Sequence, residues 1–138
     1  MKAVFASTED GGFGKGNTMP WPSISEDFKH FKNVTMGQTL YAAKTTYCSL
    51  PPLSGRTVCL IRRDDLVGGS GIIIGGTSLL TVENLKACRV IYYTRVKGDF
   101  TADVYLPNEV MDYIETKLQG AEVLQDTDKC TIYKIANI

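Results

Sequence analysis

The sequence has little from which a metal site could be built. His30 is its only histidine, and its four cysteines, Cys48, Cys59, Cys88 and Cys130, stand far apart without a CxxC pair. Structural zinc sites need several such ligands at short spacings. We therefore expect no metal site.

An excess of charge of one sign is also missing, because 15 basic and 15 acidic residues cancel. The chain thus has no net positive charge that would attract nucleic acid or an anionic membrane. The run of roughly 18 apolar residues that a membrane-spanning helix needs does not occur either. We expect a soluble protein without nucleic-acid or membrane partners.

The composition also bears on domain number and compartment. With 43% hydrophobic residues, the 138 residues fit one globular domain, 1–138. No stretch resembling a signal peptide precedes the first strand-like residues, and a mixed domain of this size folds without disulfide staples. Reduced thiols in the cytoplasm are therefore expected.

Short apolar runs predict the strands. They occur at KAVFAS (residues 2–7), TVCLIRR (57–63), GIIIGG (71–76) and RVIYYTRV (89–96), and TLYAAKTTYCSL (39–50) indicates a strand leading into a short helical turn. The tail offers NEVMDYIETKLQG, which is weakly patterned, and then EVLQD and CTIYKIANI separated by a polar turn, which predict an antiparallel hairpin.

Helices are expected between several of these strands. Phe28, Phe31 and Val34 recur every three residues and predict a helix from Ser25 to about Met36. TSLLTVENLKA predicts a shorter helix that starts near residue 77. Apolar strands separated by helices indicate an α/β fold with a mostly parallel central sheet, flanking helices and a C-terminal antiparallel hairpin.

The start of the first helix has two possible caps. Ser23 followed by Glu26 has the form of a capping box, and Ser25 is the alternative cap. Glu26 is explained by that capping role. Asp27 is not, because it can share the inward side of the helix with Phe31, four residues later, and with the adjacent Phe28.

A carboxylate on an apolar face is costly unless it finds hydrogen-bond donors. A ligand with paired N–H groups would supply such donors to Asp27. The simpler alternative is that Asp27 favours the positive end of the helix dipole, as acidic first-turn residues often do.

Two glycine-rich segments differ in what they can bind. GGFGKG (residues 11–16) lacks the spacing of a dinucleotide fingerprint or a P-loop, and we interpret it as a lid. Gly75 and Gly76 end an apolar strand just before the helix expected at Thr77 and Ser78. Backbone there can approach a ligand closely, and a helix N-terminus attracts pyrophosphate.

Three arginines are candidate anion ligands. Arg62 and Arg63 end a strand and suit a cofactor 2′-phosphate, but they could also form an exposed basic turn that Asp64 and Asp65 neutralise. Arg56 follows a turn and is either a surface residue or a planar fork for a carboxylate.

Taken in order, these segments resemble the dihydrofolate reductase family. KAVFAS resembles its first strand, GGFGKGNTMPW the mobile loop that closes over the nicotinamide, and MPWPSISEDFKHFK its substrate-binding segment. LSGR, which ends in Arg56, resembles the loop whose arginine receives the folate α-carboxylate. IIIGGTSLL resembles the Gly–Gly strand, YYTRV with Thr94 the strand whose threonine supports the acidic residue, and TADVYLP the acidic loop that contacts the mobile loop.

The resemblance implies a dihydrofolate reductase-like fold, NADPH as cofactor, dihydrofolate as substrate and a cis peptide between Gly75 and Gly76. The implied catalytic residues are Asp27, Met19, Trp21 and Thr94. The implied substrate-binding residues are Val4, Phe5, Ile24, Asp27, Phe28, Phe31, Leu53, Arg56 and Ile74. The implied cofactor-binding residues are Ala6, Phe13, Gly14, Asn17, Thr18, Lys44, Thr45, Thr46, Arg62, Arg63, Gly75, Gly76, Thr77, Ser78 and Leu79.

The chain departs from the family pattern on the adenosine side. Between Arg63 and Gly71 it has only DDLVGGS, where the family has another strand and a helix. Adenine is then expected to be more exposed or held by substitute residues. Ala43 replaces a usual glycine and Leu80 a frequent aromatic residue.

Three hypotheses follow, and all assume a monomer. The first is a compact dihydrofolate reductase in which Asp27 orients and polarises the pterin while water admitted by the Met19 lid carries the proton to N5. The second is a reductase of a ribosylated aminopyrimidine, which Arg56 disfavours because that substrate has no glutamate tail. The third is a pterin-binding or structural protein with weak or no reductase activity.

Overall fold

The computed structural model describes residues 1–16, 18–62 and 70–137. Within them, strands and helices alternate along most of the chain. The strands are β1 (Lys2–Thr8), β2 (Gly12–Gly14), β3 (Thr39–Ala42), β4 (Thr57–Leu60), β5 (Ile72–Gly75), β6 (Val90–Val96), β7 (Val104–Tyr105), β8 (Glu122–Asp126) and β9 (Cys130–Ala136). The helices are α1 (Ser25–Thr35), α2 (Lys44–Ser49), α3 (Val82–Ala87) and α4 (Asn108–Leu118).

In this part of the chain, seven strands form one sheet in the order β4-β3-β5-β1-β6-β9-β8. The first five of these are parallel to one another, and β9 and β8 add an antiparallel hairpin at one edge, with β9 antiparallel to β6. The expected α/β fold with a mostly parallel sheet and a terminal hairpin is confirmed. β2 and β7 form a separate antiparallel pair.

The central strands are rich in apolar residues because both faces of the sheet are covered. On one face, Phe5 and Tyr93 belong to a cluster that includes Val110 and Ile114 of α4. On the other, Val4 and its neighbours pack against α1. Side chains alternate along each strand, so β1 and β6 each contribute to both sides.

α1 begins where expected, but the predicted cap is wrong. Its N-cap is Ile24, and no side chain caps the helix, so neither Ser23 with Glu26 nor Ser25 has that role. Ile24 is 5% exposed and extended in backbone conformation. Burial of this apolar side chain, rather than a hydroxyl cap, therefore fixes where the helix starts.

α3 begins five residues later than predicted. Residues 77–79 form a turn in which the carbonyl of Gly76 accepts from the amides of Leu79 and Leu80. The helix itself starts at Val82, and the hydroxyl of Thr81 caps it by accepting from the amide of Asn84 at 3.1 Å. The expected helix N-terminus at residues 77 and 78 is therefore not formed.

Two further differences concern element ends. β4 stops at Leu60, earlier than the predicted strand, although the amide of Ile61 still bonds to the carbonyl of Ala42 at 2.9 Å. The weakly patterned tail segment forms α4, whose buried residues include Val110 and Ile114. None of the described helices is long and apolar enough to cross a membrane.

Candidate active site

Asp27 lies in the first turn of α1, where that helix crosses β6. Its Oδ1 accepts a hydrogen bond of 2.7 Å from the hydroxyl of Thr94, which is 1% exposed. Thr94 was expected to support the acidic residue, and the structure places it in that position. The bond fixes one carboxylate oxygen from the sheet side, which leaves further acceptor capacity for a ligand.

The environment of Asp27 favours its neutral form. Burial raises the pKa of Asp27 above its ordinary value, and this effect outweighs the lowering by the Thr94 hydrogen bond and by the charge of His30. A carboxylate in this position gains from any ligand that brings N–H donors, because they replace the lost hydration. The dipole explanation does not account for this burial.

Apolar side chains on both sides of Asp27 form two clusters beneath α1. Four of the expected substrate residues belong to the first: Val4, Phe31, Leu53 and Ile74. The second cluster contains Trp21, Ile24 and Ala6 together with residues of β6 and β9. The expected residues thus provide apolar side chains in two clusters on the α1 side of the sheet.

Two expected substrate residues do not belong to these two clusters. Phe28 is 52% exposed and does not pack inward with Phe31. Phe5 points to the opposite face of the sheet, where its ring lies 5.3 Å from that of Tyr93. Alternation along β1 places Val4 and Ala6 on the α1 side, so the side chain of Phe5 belongs to the core.

Arg56 is anchored near the other end of α1. Its Nε donates to the carbonyl of Ser54 at 3.1 Å, and its Nη1 donates to the hydroxyl of Thr35 at 3.3 Å. Thr35 is fully buried and also donates to the carbonyl of Phe31 at 2.7 Å. Sequence reasoning missed Thr35, although a threonine four residues after Phe31 can bond back to that carbonyl.

The Gly75–Gly76 peptide is cis, as the resemblance implies, and both glycines lie against Thr46. A Cβ on either glycine would be 3.2 Å from Oγ1 of Thr46, and a Cβ on Gly75 would be 3.4 Å from Cζ of Phe13. A side chain at either position would therefore press against Thr46, and one at position 75 would also contact Phe13. This part of the backbone can approach a flat or phosphorylated ligand closely.

The other expected cofactor residues differ in their exposure and in their position relative to Gly75 and Gly76. Lys44 and Thr45 are exposed at the start of α2, Ser78 is exposed in the turn after the glycines, and Leu79 is buried in the core at 2% exposure. Thr77 lies in the same turn rather than in a helix. Arg62 is exposed, whereas Asn17, Arg63 and the shortened segment after it lie outside the described residues.

The lid segment, of which residues 11–16 and 18–21 are described, is attached to the loop that precedes α4. The carbonyl of Gly14 accepts from the amide of Asp103 at 2.9 Å, and the amide of Gly16 donates to Oδ2 of Asp103 at 3.1 Å. The hydroxyl of Thr18 bonds to the carbonyl of Lys15 at 3.0 Å. Met19 is 42% exposed. The acidic loop thus contacts the lid, as its resemblance implies.

Metal chemistry has no visible support in the described residues. They contain no group of His, Cys, Asp and Glu side chains that could hold an ion. The four cysteines are free thiols.

Comparison with known proteins agrees with this geometry. The family model for dihydrofolate reductase matches residues 1–71. The chain is 40% identical over 67 residues to dihydrofolate reductase type 8 of Escherichia coli, a match that covers 48% of this chain and 40% of that protein. It is 30% identical over 138 residues to dihydrofolate reductase of Mycobacterium tuberculosis strain H37Rv, covering 90% of this chain and 81% of that one.

A solved structure of dihydrofolate reductase from Enterococcus faecalis, complexed with NADP(H) and RAB-propyl, has the same fold. The TM-score is 0.69 at 23% identity, with 99% of this chain and 96% of that chain covered. The match to the type 8 enzyme spans less than half of that protein's length. The family model and the relative aligned over nine tenths of this sequence nevertheless show that the chain belongs to the dihydrofolate reductase family.

Proposed function

We propose that the protein reduces 7,8-dihydrofolate to 5,6,7,8-tetrahydrofolate with NADPH as the reductant. The observation that carries this proposal is the half-buried Asp27 carboxylate held by the hydroxyl of Thr94 at 2.7 Å between two apolar clusters. A pterin presents a 2-amino group and a ring N–H as parallel donors, and one carboxylate can accept both in charge-assisted hydrogen bonds.

The residues around Asp27 suit the rest of the substrate. Phe31, Leu53 and Ile74 provide apolar contacts for the ring system and the linked benzoyl group. Arg56 is held by Thr35 and Ser54 in a fixed position, and its planar guanidinium is suited to the α-carboxylate of the glutamate tail. A ribosylated aminopyrimidine lacks that carboxylate, so Arg56 favours dihydrofolate as the substrate.

We expect the nicotinamide cofactor to bind beside Gly75 and Gly76, whose backbone a ligand can approach closely because neither residue has a side chain. Thr46 and the exposed Lys44 and Thr45 would bind its phosphates, and Arg62 would bind the 2′-phosphate. When bound, the cofactor supplies a hydride to C6 of the substrate. We also propose a cytoplasmic monomer.

The chain's own residues would control the accompanying proton. Asp27 orients the pterin and polarises it toward protonation at N5. The lid, through Met19, would admit one water to deliver that proton and then exclude bulk water, which strengthens the electrostatic effect of Asp27.

The test is to follow NADPH absorbance with dihydrofolate in the wild-type protein and in Asp27→Asn. Loss of a preorganised charge at a reacting centre typically lowers the rate about 10²- to 10³-fold, and we expect a loss of that order. Asp112→Asn, on the exposed surface of α4, is the matched control and should keep full activity. Binding of dihydrofolate and NADPH without turnover would instead favour the non-enzymatic hypothesis.

A further inference from the structure

Two polar atoms of α1 are shielded from solvent and have no hydrogen-bond partner in the described part of the chain. They are Oε2 of Glu26 and Nε2 of His30. Buried polar atoms are nearly always paired, so each unpaired atom requires an explanation. Neither residue has a role in the contacts already described.

The helix places His30 beside two carboxylates. Glu26 precedes it by four residues and Asp27 by three, and both spacings bring side chains together on a helix surface. The ring of His30 also lies edge-on to that of Tyr92 on β6, with 5.5 Å between centroids and 63° between planes. The imidazole is thereby held against the sheet, next to the carboxylate that is proposed to bind the pterin.

Other charged groups lie on this side of the sheet. Lys134 of β9 is the register partner of Tyr92, and Glu122 of β8 is the register partner of Lys134, so their side chains lie on the same face as Tyr92. Lys29 on α1 is exposed. No ion pair joins His30 to any charged side chain of the described residues, Glu26 and Asp27 included. Glu26 and Asp27 are the two carboxylates that stand at neighbouring positions on the same helix surface.

We propose that His30 is a positioning residue of the dihydrofolate site, a role that rests on the proposed function. In its protonated form, the imidazole pairs with Glu26, and its positive charge keeps Asp27 in the charged form that receives the pterin donors. The proton comes from solvent and gives both ring nitrogens an N–H. Once the two side chains turn toward each other, Nε2 donates to Oε2 of Glu26, so a single proton satisfies both unpaired atoms.

The directions in which the pKa values of His30 and Asp27 shift agree with a coupling between these two groups. Burial lowers the pKa of His30, and the carboxylate of Asp27 opposes that effect. Burial raises the pKa of Asp27, and the charge of His30 opposes that effect in turn. Burial therefore brings the two pKa values closer together, and the charge of each side chain affects the proton affinity of the other.

The first experiment needs no activity. Because His30 is the only histidine, its ring gives one set of NMR signals whose pH titration reports on this residue alone. An opposite charge within about 4–6 Å typically shifts a titration by about one unit or more, so we expect Glu26→Gln and Asp27→Asn each to lower the His30 midpoint by at least about 0.5 pH unit. Glu109→Gln, exposed at the start of α4, is the matched control and should leave it unchanged. Equal midpoints in all four proteins would overturn the proposal.

The second experiment measures the pH profile of kcat/KM for dihydrofolate. The part of this pH profile in which kcat/KM changes in the wild-type protein but not in Asp27→Asn is the limb that reports the titration of Asp27. His30→Gln removes the positive charge and should move that limb to higher pH, whereas His30→Lys makes the charge permanent and should move it to lower pH. Shifts in the same direction, or none, would refute the positioning role.

The two experiments separate the two proposals. Normal reductase activity with an uncoupled His30 would reject the role of His30 and leave the proposed function intact. A coupled His30 in a protein that binds dihydrofolate and NADPH without turnover would reject the proposed function and, with it, the role of His30 in that reaction. The NMR test uses variants outside His30, so it stands even if His30→Lys does not fold.

Discussion

The contact between Thr94 and Asp27 gives the sharpest test of how this site works. Thr94→Val removes the hydroxyl that donates to Oδ1 of Asp27 at 2.7 Å and keeps the shape of the side chain. Because Thr94 is 1% exposed, water cannot easily take the place of the hydroxyl. The variant therefore leaves a buried carboxylate with one donor fewer.

The expected loss can be estimated from the kind of bond. A hydrogen bond to a charged group contributes about 1.5–3 kcal/mol to the free energy of unfolding, and one between neutral groups about 0.5–1.5 kcal/mol. Thr94→Val should therefore cost about 1 kcal/mol more when residue 27 is a charged aspartate than when it is asparagine, which accepts the same bond without charge. A double-mutant cycle of Thr94→Val and Asp27→Asn isolates this difference.

The sign of the pH dependence follows from the pKa of Asp27. Burial raises it, so the folded protein holds this proton more tightly than the unfolded chain does. The charged form costs stability above the folded pKa, and this cost disappears as the pH falls through that value. The Thr94 bond reduces the cost, so the penalty of Thr94→Val should grow as the pH rises through the pKa of Asp27. Asp27→Asn, by contrast, should stabilise the fold at neutral pH while it lowers activity.

Urea unfolding of the four proteins of the cycle, at pH values on both sides of this titration, measures the coupling. Thr131→Val is the control, because its hydroxyl donates to Oδ1 of Asp126 at 2.9 Å on the surface, and its removal should leave stability nearly unchanged. An equal cost of Thr94→Val in the Asp27 and Asn backgrounds at high pH would refute the view that the Thr94 hydroxyl holds a charged carboxylate.

Three further predictions concern other parts of the molecule. Arg56→Leu should raise KM for dihydrofolate roughly 10- to 100-fold through loss of a charged hydrogen bond, with little change in kcat, and a pterin without the glutamate tail should show no such difference. Gly75 has φ +136°, so Gly75→Ala should cost about 1–3 kcal/mol in urea unfolding, and an unchanged midpoint would contradict this conformation. Burial raises the pKa of the Cys88 thiol to about 11, so this thiol should react slowly at pH 8. A thiol reagent at that pH should label the exposed Cys48 in the folded protein and Cys88 only after unfolding, which peptide mass spectrometry can measure.

The parts of the fold that sequence reasoning predicted are those with a strong local pattern. β1, β5 and β6 are apolar runs because parallel strands in the middle of a covered sheet bury both faces. The period of three in α1 and the polar turn between β8 and β9 are equally local signals. The proximity of Asp27 to Thr94, separated by 67 residues, was expected only from the resemblance to a family.

The missed features depend on packing between distant segments. Ser23 and Ser25 are good caps in isolation, but burial of Ile24 sets the start of α1. Leu79 and Leu80 look like the first turn of a helix, yet both are buried in the core at 2% and 0% exposure. The helix begins only after the cap residue Thr81. Where the sequence offers two possible helix starts, the spacing of its apolar residues does not show which one the tertiary contacts will favour.

The same dependence on packing explains why the site is easier to find in the structure than in the sequence. α1 buries Ile24 and Phe31. An apolar residue at position 27 of this helix would stabilise the protein more than an aspartate does, because burial disfavours the charged carboxylate and raises its pKa. Asp27 therefore lowers the stability of the free protein, and under the proposed function it gains its value only when a ligand supplies N–H donors. Substitutions that stabilise the fold at position 27 should therefore be the ones that abolish binding, whereas substitutions in the Phe5–Tyr93 cluster on the opposite face should change stability with little direct effect on binding.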